Sequence, residues 1–319
     1  MKNRILIFAL IGAALIFLFL VFQKNMGNVF FSVLREKDYS RLAAIRNDIL
    51  AEKYQDALPL QKHEITDLEL GARAAISLRI NKDGQEKILF EKNADEKLPI
   101  ASLTKLMSAL VALENIDLGR AVVFSKVAAS QEGEANYFHQ AEIFYARDLI
   151  YSSLLESSNR AVQALAEVVG EKKFVELMNE KAKELGMENT LFFNPTGLDP
   201  EPWSSWPHNF STASDLAILS QELFKIDLIR EIAQTKEKDI YQIGVGFHHR
   251  MINTNEFLGE VPDIILSKTG QTPLAEKCLI IGVKSPNSDG YVINIILGSS
   301  DHFGEMRKMI EWIKNAYRW

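Results

Sequence analysis

Polarity along the chain divides it into three stretches. After Met1-Lys2-Asn3-Arg4 comes an uncharged apolar run from Ile5 to Phe22, long enough to span a bilayer as a helix. The segment at its end, Val21-Phe22-Gln23-Lys24, is bulky and polar and carries no small-x-small cleavage site. The pattern therefore predicts an uncleaved transmembrane anchor over 1–23 rather than a signal peptide. Lys2 and Arg4 on one side face Lys24, Arg35 and Lys37 on the other, so the count of positive charges leaves the orientation open. Residues 24–69 mix charge with spaced apolar positions, Tyr39, Leu42, Ile45, Ile49 and Leu50, as in a partly helical, amphipathic stalk.

From residue 70 to 319 the pattern is that of a folded domain. Ala74-Ala75-Ile76-Ser77-Leu78-Arg79-Ile80 and Ile88-Leu89-Phe90 read as strands joined through Asn81-Lys82-Asp83-Gly84, a hairpin signal. Helical periodicity follows at 101–115, 145–156, 159–169, 171–186 and 212–225, the last opened by the capping segment Ser211-Thr212-Ala213-Ser214-Asp215. Strand-like runs return at 239–252, 263–269, 277–284 and 291–298, before a closing helix at 303–318. Strands at both ends of a helical middle predict an α+β fold, with N- and C-terminal strands sharing one antiparallel sheet flanked by helices and a helical subdomain.

Composition narrows the function classes. The 319 residues are 47% hydrophobic and 24% charged, which excludes disorder, collagen and coiled coil. A net charge of −6 does not suit affinity built on neutralising phosphates, so nucleic acid is not an expected partner. The single cysteine, Cys278, can form neither an internal disulfide nor a cysteine-based metal site and reads as a core thiol. The histidines form no H-E-x-x-H. His248 and His249, adjacent on an expected strand, should point to opposite faces and fill structural roles. No metal and no cofactor is expected. Glu132-Gly133-Glu134 and Lys236-Glu237-Lys238 read as solvated turns, and Trp203 and Trp206, flanking Ser204-Ser205, as loop packing or a groove lining.

Three short motifs carry candidate chemistry. Ser102-Leu103-Thr104-Lys105 opens a helix that is apolar nearly all round (Leu103, Leu106, Met107, Leu110, Val111, Leu113), so Lys105 is expected to be buried. Three residues apart on one helix face, Ser102 and Lys105 can exchange a proton. Burial and the helix N-terminus both push the amine toward a base at neutral pH. Ser157-Ser158-Asn159 lies between two expected helices, where a serine and an asparagine can relay a proton and hold an amide. Lys268-Thr269-Gly270 ends the apolar strand Ile264-Ile265-Leu266; Lys-Thr can grip a carboxylate, and Gly270 lets a substrate approach the strand closely. Each motif alone is weak, and Ser285-Pro286-Asn287 repeats the Ser-x-Asn pattern in an apparent turn. Their order on helix start, loop and strand is what carries weight.

With these motifs, residues 70–319 resemble the low-molecular-mass penicillin-binding proteins, the serine D-alanyl-D-alanine carboxypeptidase and endopeptidase family. The resemblance extends over Pro99-Ile100-Ala101-Ser102-Leu103-Thr104-Lys105, Phe193-Asn194-Pro195-Thr196-Gly197-Leu198, Ser211-Thr212-Ala213 with Asp215, Asn253-Thr254-Asn255, and Lys268-Thr269-Gly270-Gln271-Thr272. It implies a β-lactamase/transpeptidase-like fold with Ser102 as acylated nucleophile, Lys105 as proton acceptor, and Ser157 with Asn159 as second catalytic element. Lys268 and Thr269 would clamp a terminal carboxylate within a binding strand, Lys268 to Thr272, and the backbone N–H groups of Ser102 and Gln271 would form the oxyanion hole. The implied substrate is a peptidoglycan stem peptide ending in D-Ala-D-Ala, the implied inhibitors β-lactams, and the implied place the outer face of the cytoplasmic membrane, with a single-pass anchor. The chain closes on the helix to Trp319, which leaves anchoring to the N-terminal segment.

Departures from the carboxypeptidase pattern bear on the leaving group. Ser157-Ser158-Asn159-Arg160-Ala161, Ile265-Leu266-Ser267 before Lys268, and Glu276-Lys277-Cys278-Leu279 after it resemble the endopeptidase branch, and Glu256 stands where a basic residue often follows Asn-x-Asn. A class A β-lactamase would need Glu-x-x-x-Asn between the second and third motifs; no Glu from 160 to 267 has an Asn four residues on. A non-hydrolytic wall-binding or β-lactam-trapping protein would be expected to break a motif, and all three are intact. A D-alanyl-D-alanine carboxypeptidase is the leading expectation, an endopeptidase the alternative.

Overall fold

The computed structural model describes residues 18, 20–22, 59–62, 65–200, 207–285 and 290–319. It falls into two units, Met1–Ala57 and Leu58–Trp319. Of the first, Leu18, Leu20, Val21 and Phe22 are described, all helical and exposed. The rest of the expected anchor at 1–23, most of the stalk, and Trp203 and Trp206 lie outside the described residues. No described helix is long and apolar enough to cross a membrane.

The second unit contains strands β1 (Leu60–Gln61), β2 (Ala74–Ile80), β3 (Glu86–Lys92), β4 (Leu98–Pro99), β5 (Ala121–Val123), β6 (Ile143–Tyr145), β7 (Phe210–Ser211), β8 (Glu237–Gln242), β9 (Gly246–Ile252), β10 (Ile264–Thr272), β11 (Glu276–Lys284), β12 (Tyr291–Ser299) and β13 (Tyr317–Arg318). Its helices are α1 (Thr104–Asn115), α2 (Lys126–Ala129), α3 (Ala146–Leu155), α4 (Asn159–Val169), α5 (Glu171–Leu185), α6 (Ala213–Leu223), α7 (Asp227–Gln234) and α8 (His302–Ala316). Five strands form one antiparallel sheet in the order β10-β11-β12-β2-β3. The N-terminal hairpin joins the C-terminal strands at β12, where Ile295 lies opposite Ile76, as expected for an α+β fold. β1 pairs with β13, so Leu60 and Gln61 belong to the second unit.

Side-chain alternation assigns the two faces of the sheet to different cores. Ala74, Ile76, Leu78, Cys278, Ile280, Ile293 and Ile295 pack into the cluster that includes α1, α3, α4 and α6. Ala75, Leu279, Ile281 and Ile296 face Met306, Met309 and Ile313 of α8. Covered on both sides, the central strands read as continuous apolar runs. Cys278 is buried with its thiol pushed up to about 12 by desolvation, the core thiol the sequence predicted.

Three expectations are corrected. The helix at 101–115 opens with a 3-10 turn at Ala101–Leu103 and becomes α-helical only at Thr104; Ala101 has φ +46°, which no helix interior accepts. The expected strand 239–252 is a hairpin, β8 and β9, turned through Gly244 and Gly246 with φ +78° and +126°. His248 and His249 do not point to opposite faces. The register pairs Ile240 with His249 but Tyr241 with Phe247, so His248 is the extra residue of a β-bulge, and the bulge re-aims its side chain. The two Nδ1 atoms lie 2.7 Å apart.

Candidate active site

Ser102 is the middle residue of the 3-10 turn, and Lys105 the second residue of α1. In a 3-10 turn side chains three apart eclipse, which brings Lys105 Nζ to 2.8 Å from Ser102 Oγ. The backbone of Ala101 is held in place by an intimate contact: a Cβ on Gly197 would stand 2.0 Å from the Ala101 carbonyl oxygen, and Gly197 itself has φ +84°. Only glycine fits there. The same Asn194-Pro195-Thr196-Gly197 turn serves the lysine. Lys105 Nζ donates to the Thr196 carbonyl at 2.8 Å, and Asn194 Oδ1 accepts from the N–H groups of Thr196 and Gly197 at 3.1 and 2.7 Å. Asn209 ties the turn to the helix, donating from Nδ2 to Thr104 Oγ1 at 3.0 Å. Lys105 is fully buried, and desolvation, with the charge of Lys268 added, holds its amine well below the ordinary lysine range.

Across the cleft, Lys268 is also buried, its amine lowered to about 7 by desolvation. It donates to Ser157 Oγ at 2.9 Å and to the Thr269 carbonyl at 3.0 Å. Its place is therefore beneath the cleft, whereas Thr269 lines it and shares a 2.8 Å hydrogen bond between its Oγ1 and that of Thr254. Gly270 follows with no room beside it: a Cβ would stand 3.0 Å from the Ser102 nitrogen and 3.2 Å from the Ile100 oxygen, so β10 runs alongside the nucleophile's turn. Gln271 and Thr272 continue the wall. Ser157 adopts φ +62°, a conformation a serine holds only when its surroundings impose it. Ser158 caps α4, accepting from Ala161 N at 3.3 Å. Asn159 Nδ2 donates to the Glu132 carbonyl at 2.6 Å, while its buried Oδ1 has no hydrogen-bond partner in the protein.

The cleft has a volume of about 570 Å³ and is lined by Ser102, Ser157, Asn159 and the β10 residues Thr269 to Thr272. All of the predicted site residues thus converge, with Lys105 and Lys268 under the floor. Sequence reasoning missed Glu132 and Gly133, read as a plain solvated turn. The carbonyl of Glu132 orients Asn159, and a Cβ on Gly133 would stand 2.9 Å from Asn159 Nδ2. It also assigned nothing to Thr196 or Asn209, although the Asn-Pro-Thr-Gly string marks a tight turn. At the far end stand His302, lowered to about 4 by burial and by Lys277, and Arg307, held by Glu260 at 3.0 and 3.1 Å. Among the described residues no group of three or more metal-ligating side chains occurs.

A serine at a helix entrance beside a buried amine, with a second serine and a second amine opposite, is an arrangement suited to nucleophilic attack by the first serine. A family model described as D-alanyl-D-alanine carboxypeptidase matches residues 61–301, and the chain belongs to that family, peptidase S11. It is 32% identical over 259 residues to the D-alanyl-D-alanine carboxypeptidase DacF of Bacillus subtilis, covering 78% of this chain and 64% of the relative. To the D-alanyl-D-alanine endopeptidase of Escherichia coli it is 31% identical over 258 residues, 78% of this chain and 79% of the relative. The chain thus spans less than two thirds of the Bacillus protein and about four fifths of the endopeptidase. A solved D-alanyl-D-alanine carboxypeptidase from Mycobacterium tuberculosis superposes with a TM-score of 0.70 at 24% identity, covering 79% of this chain and 95% of that one, and shares the fold.

Proposed function

We propose that this protein is a serine-type D-alanyl-D-alanine carboxypeptidase acting on peptidoglycan stem peptides through an acyl-enzyme on Ser102. The observation that carries the reading is the 2.8 Å approach of Lys105 Nζ to Ser102 Oγ, by an amine whose hydrogen-bond partners are all uncharged and whose burial favours the neutral base. Lys105 takes the hydroxyl proton as Ser102 Oγ attacks the penultimate D-Ala carbonyl, and the backbone N–H groups of Ser102 and Gln271 hold the oxyanion. The C–N bond breaks with proton delivery to the leaving nitrogen. Ser157, joined to Lys268 at 2.9 Å, stands where that proton can be relayed. Asn159 Oδ1 accepts from a substrate amide, and Thr269 meets the terminal carboxylate with the charge of Lys268 behind it. Water then releases the acyl group. β-Lactams acylate the same oxygen. The test is Ser102→Ala: release of D-Ala from a pentapeptide and labelling by a fluorescent penicillin should both vanish, and retained turnover would overturn the assignment.

A second reading, a D,D-endopeptidase that cleaves cross-links, is favoured by the fuller overlap with the endopeptidase relatives, 80% of the Pseudomonas aeruginosa protein's length and 79% of the Escherichia coli one. Mass spectrometry of products from pentapeptide monomers and cross-linked dimers separates the two: loss of one D-Ala marks the carboxypeptidase, conversion of dimers to monomers the endopeptidase. We further propose that residues 1–23 anchor the protein in the cytoplasmic membrane by a single pass with the catalytic unit outside, where peptidoglycan lies. The support is the uncharged run Ile5 to Phe22. Extraction of the full chain by salt or carbonate alone would overturn this.

A further inference from the structure

Behind Ser157 lies a chain of titratable groups that the proposed mechanism does not use. Glu156 closes α3 and is buried although it also borders the cleft. Its Oε1 accepts from Ser152 Oγ at 2.7 Å, and both of its carboxylate oxygens lie 3.2 Å from His249 Nε2. His249 Nδ1 faces His248 Nδ1 at 2.7 Å, and His248 Nε2 faces Glu142 Oε2 at 3.3 Å. The line therefore runs from carboxylate through two imidazoles to carboxylate, and one end is the residue preceding Ser157. Ser157 needs such a brace, because its φ of +62° is costly for a non-glycine residue and persists only where neighbouring contacts impose it.

We infer that Glu156 and the His248–His249 pair are positioning residues for Ser157, and that a single proton shared between the two rings keeps the brace engaged. This rests on the reading of Ser157 as part of the proposed reaction. The geometry limits the protonation states. Two Nδ1 atoms 2.7 Å apart need one proton between them; with two, N–H would face N–H. Each Nε2 faces a carboxylate, so each must carry a hydrogen to donate. Three protons on four ring nitrogens satisfy every contact, which makes the pair one imidazolium between two carboxylates. Burial, opposed by Glu142 and aided by His249 and His139, lowers His248 below the ordinary imidazole range. The remaining neighbours do not compete. Tyr137 stacks on His249 with ring centres 4.3 Å apart, and Phe138 and Phe144 enclose His248. On the hairpin, Glu237 and Asp239 are taken up by Arg250, and Lys238 lies over the ring of Tyr151, whose hydroxyl donates to Glu231.

When the pair loses its proton, either the two Nδ1 atoms face each other as lone pairs or one Nε2 faces its carboxylate without a hydrogen, and the line from Glu142 to Glu156 is broken at that contact. Activity should therefore fall on the alkaline side for a reason separate from the lysines. The experiment measures D-Ala release and acylation by a fluorescent penicillin, on the full chain, between about pH 5.5 and 9. His249→Gln keeps an amide donor for Glu156 but cannot titrate; it should retain activity near neutral pH within about threefold and lose the alkaline fall. Glu156→Ala should lower kcat about 10- to 100-fold with KM within about threefold, and Glu156→Gln should restore part of it. A wild-type pH profile in His249→Gln, or a kcat within about twofold of wild type in Glu156→Ala, overturns the inference. If Glu156→Ala does not fold, His249→Gln decides alone. Wild-type protein that neither releases D-Ala nor takes up label would instead count against the reading of the site as a whole.

Discussion

The two walls of the cleft are held by different forces. On the Ser102–Lys105 side, position is set chiefly by packing, with the hydrogen bonds of the Asn194–Gly197 turn added: α1 is buried from Thr104 to Ala112, Gly197 presses on Ala101, and Gly270 presses on the nucleophile's turn. On the Ser157–Asn159 side, position is set by hydrogen bonds that restrain a backbone in an unfavourable conformation, with Lys268, Ser152, Glu132 and the histidine pair as partners. A wall held by close packing fails when volume changes. A wall held by a polar network fails when charge or protonation changes, because each buried polar group left unpaired costs free energy.

The largest effect should come from the packed wall's chemistry. Lys105→Met retains an unbranched side chain but no amine, and acylation by a fluorescent penicillin should fall by about 10²- to 10⁴-fold; a smaller loss would mean another group takes the proton. Next is Gly197→Ala, which meets both a backbone oxygen at 2.0 Å and a φ of +84°. It should destabilise the fold by ~3 kcal/mol or more, read as a lowered denaturation midpoint, whereas an unchanged midpoint would mean the turn moves freely. On the polar wall, Ser157→Gly removes both the hydroxyl and the strain. Turnover should drop by about 10- to 100-fold, while the stability gained from relieved strain is offset by the partner lost to the buried Lys268 amine, leaving the denaturation midpoint near that of the wild type, a separation that Gly197→Ala on the packed wall should not reproduce.

Spread along the pH scale, and small near neutral pH, is the dependence of stability that Lys268 imposes. Its folded-state value of about 7 lies below that of an unfolded lysine, ~10.4. Between these values the unfolded chain binds the extra proton, so this group makes stability rise with pH across that window, by up to about 1.4 kcal/mol per pH unit, and contributes no slope below it. Lys268→Met should flatten the slope between pH ~7.5 and ~9.5 in denaturation series. An unaltered slope would mean the buried amine stays charged.

Legibility followed the same division. Residues whose role depends on local pattern were readable. The apolar periodicity of α1 foretold a buried Lys105, the strand-like runs at both ends of the domain foretold one sheet, and the glycine of Lys268-Thr269-Gly270 marked a close approach. Residues whose role depends on register were not. The bulge that turns His248 beside His249 is a one-residue offset between β8 and β9, and period-two reasoning predicts opposite faces unless that offset is known. Glu132 acts through its carbonyl, which no side-chain motif reports.

The sequence by itself determined the α+β order of elements, the three motifs and the residues that could exchange protons, because hydrophobic periodicity and short-range spacing are properties of neighbouring positions. Only the tertiary structure decided that Lys268 works from beneath the cleft on Ser157, that Thr196 and Asn209 hold the nucleophile's turn, and that two histidines and Glu156 stand behind the second wall. Those facts depend on segments as much as 111 residues apart meeting at hydrogen-bond distance, and such meetings are set by how the helical region packs on the sheet.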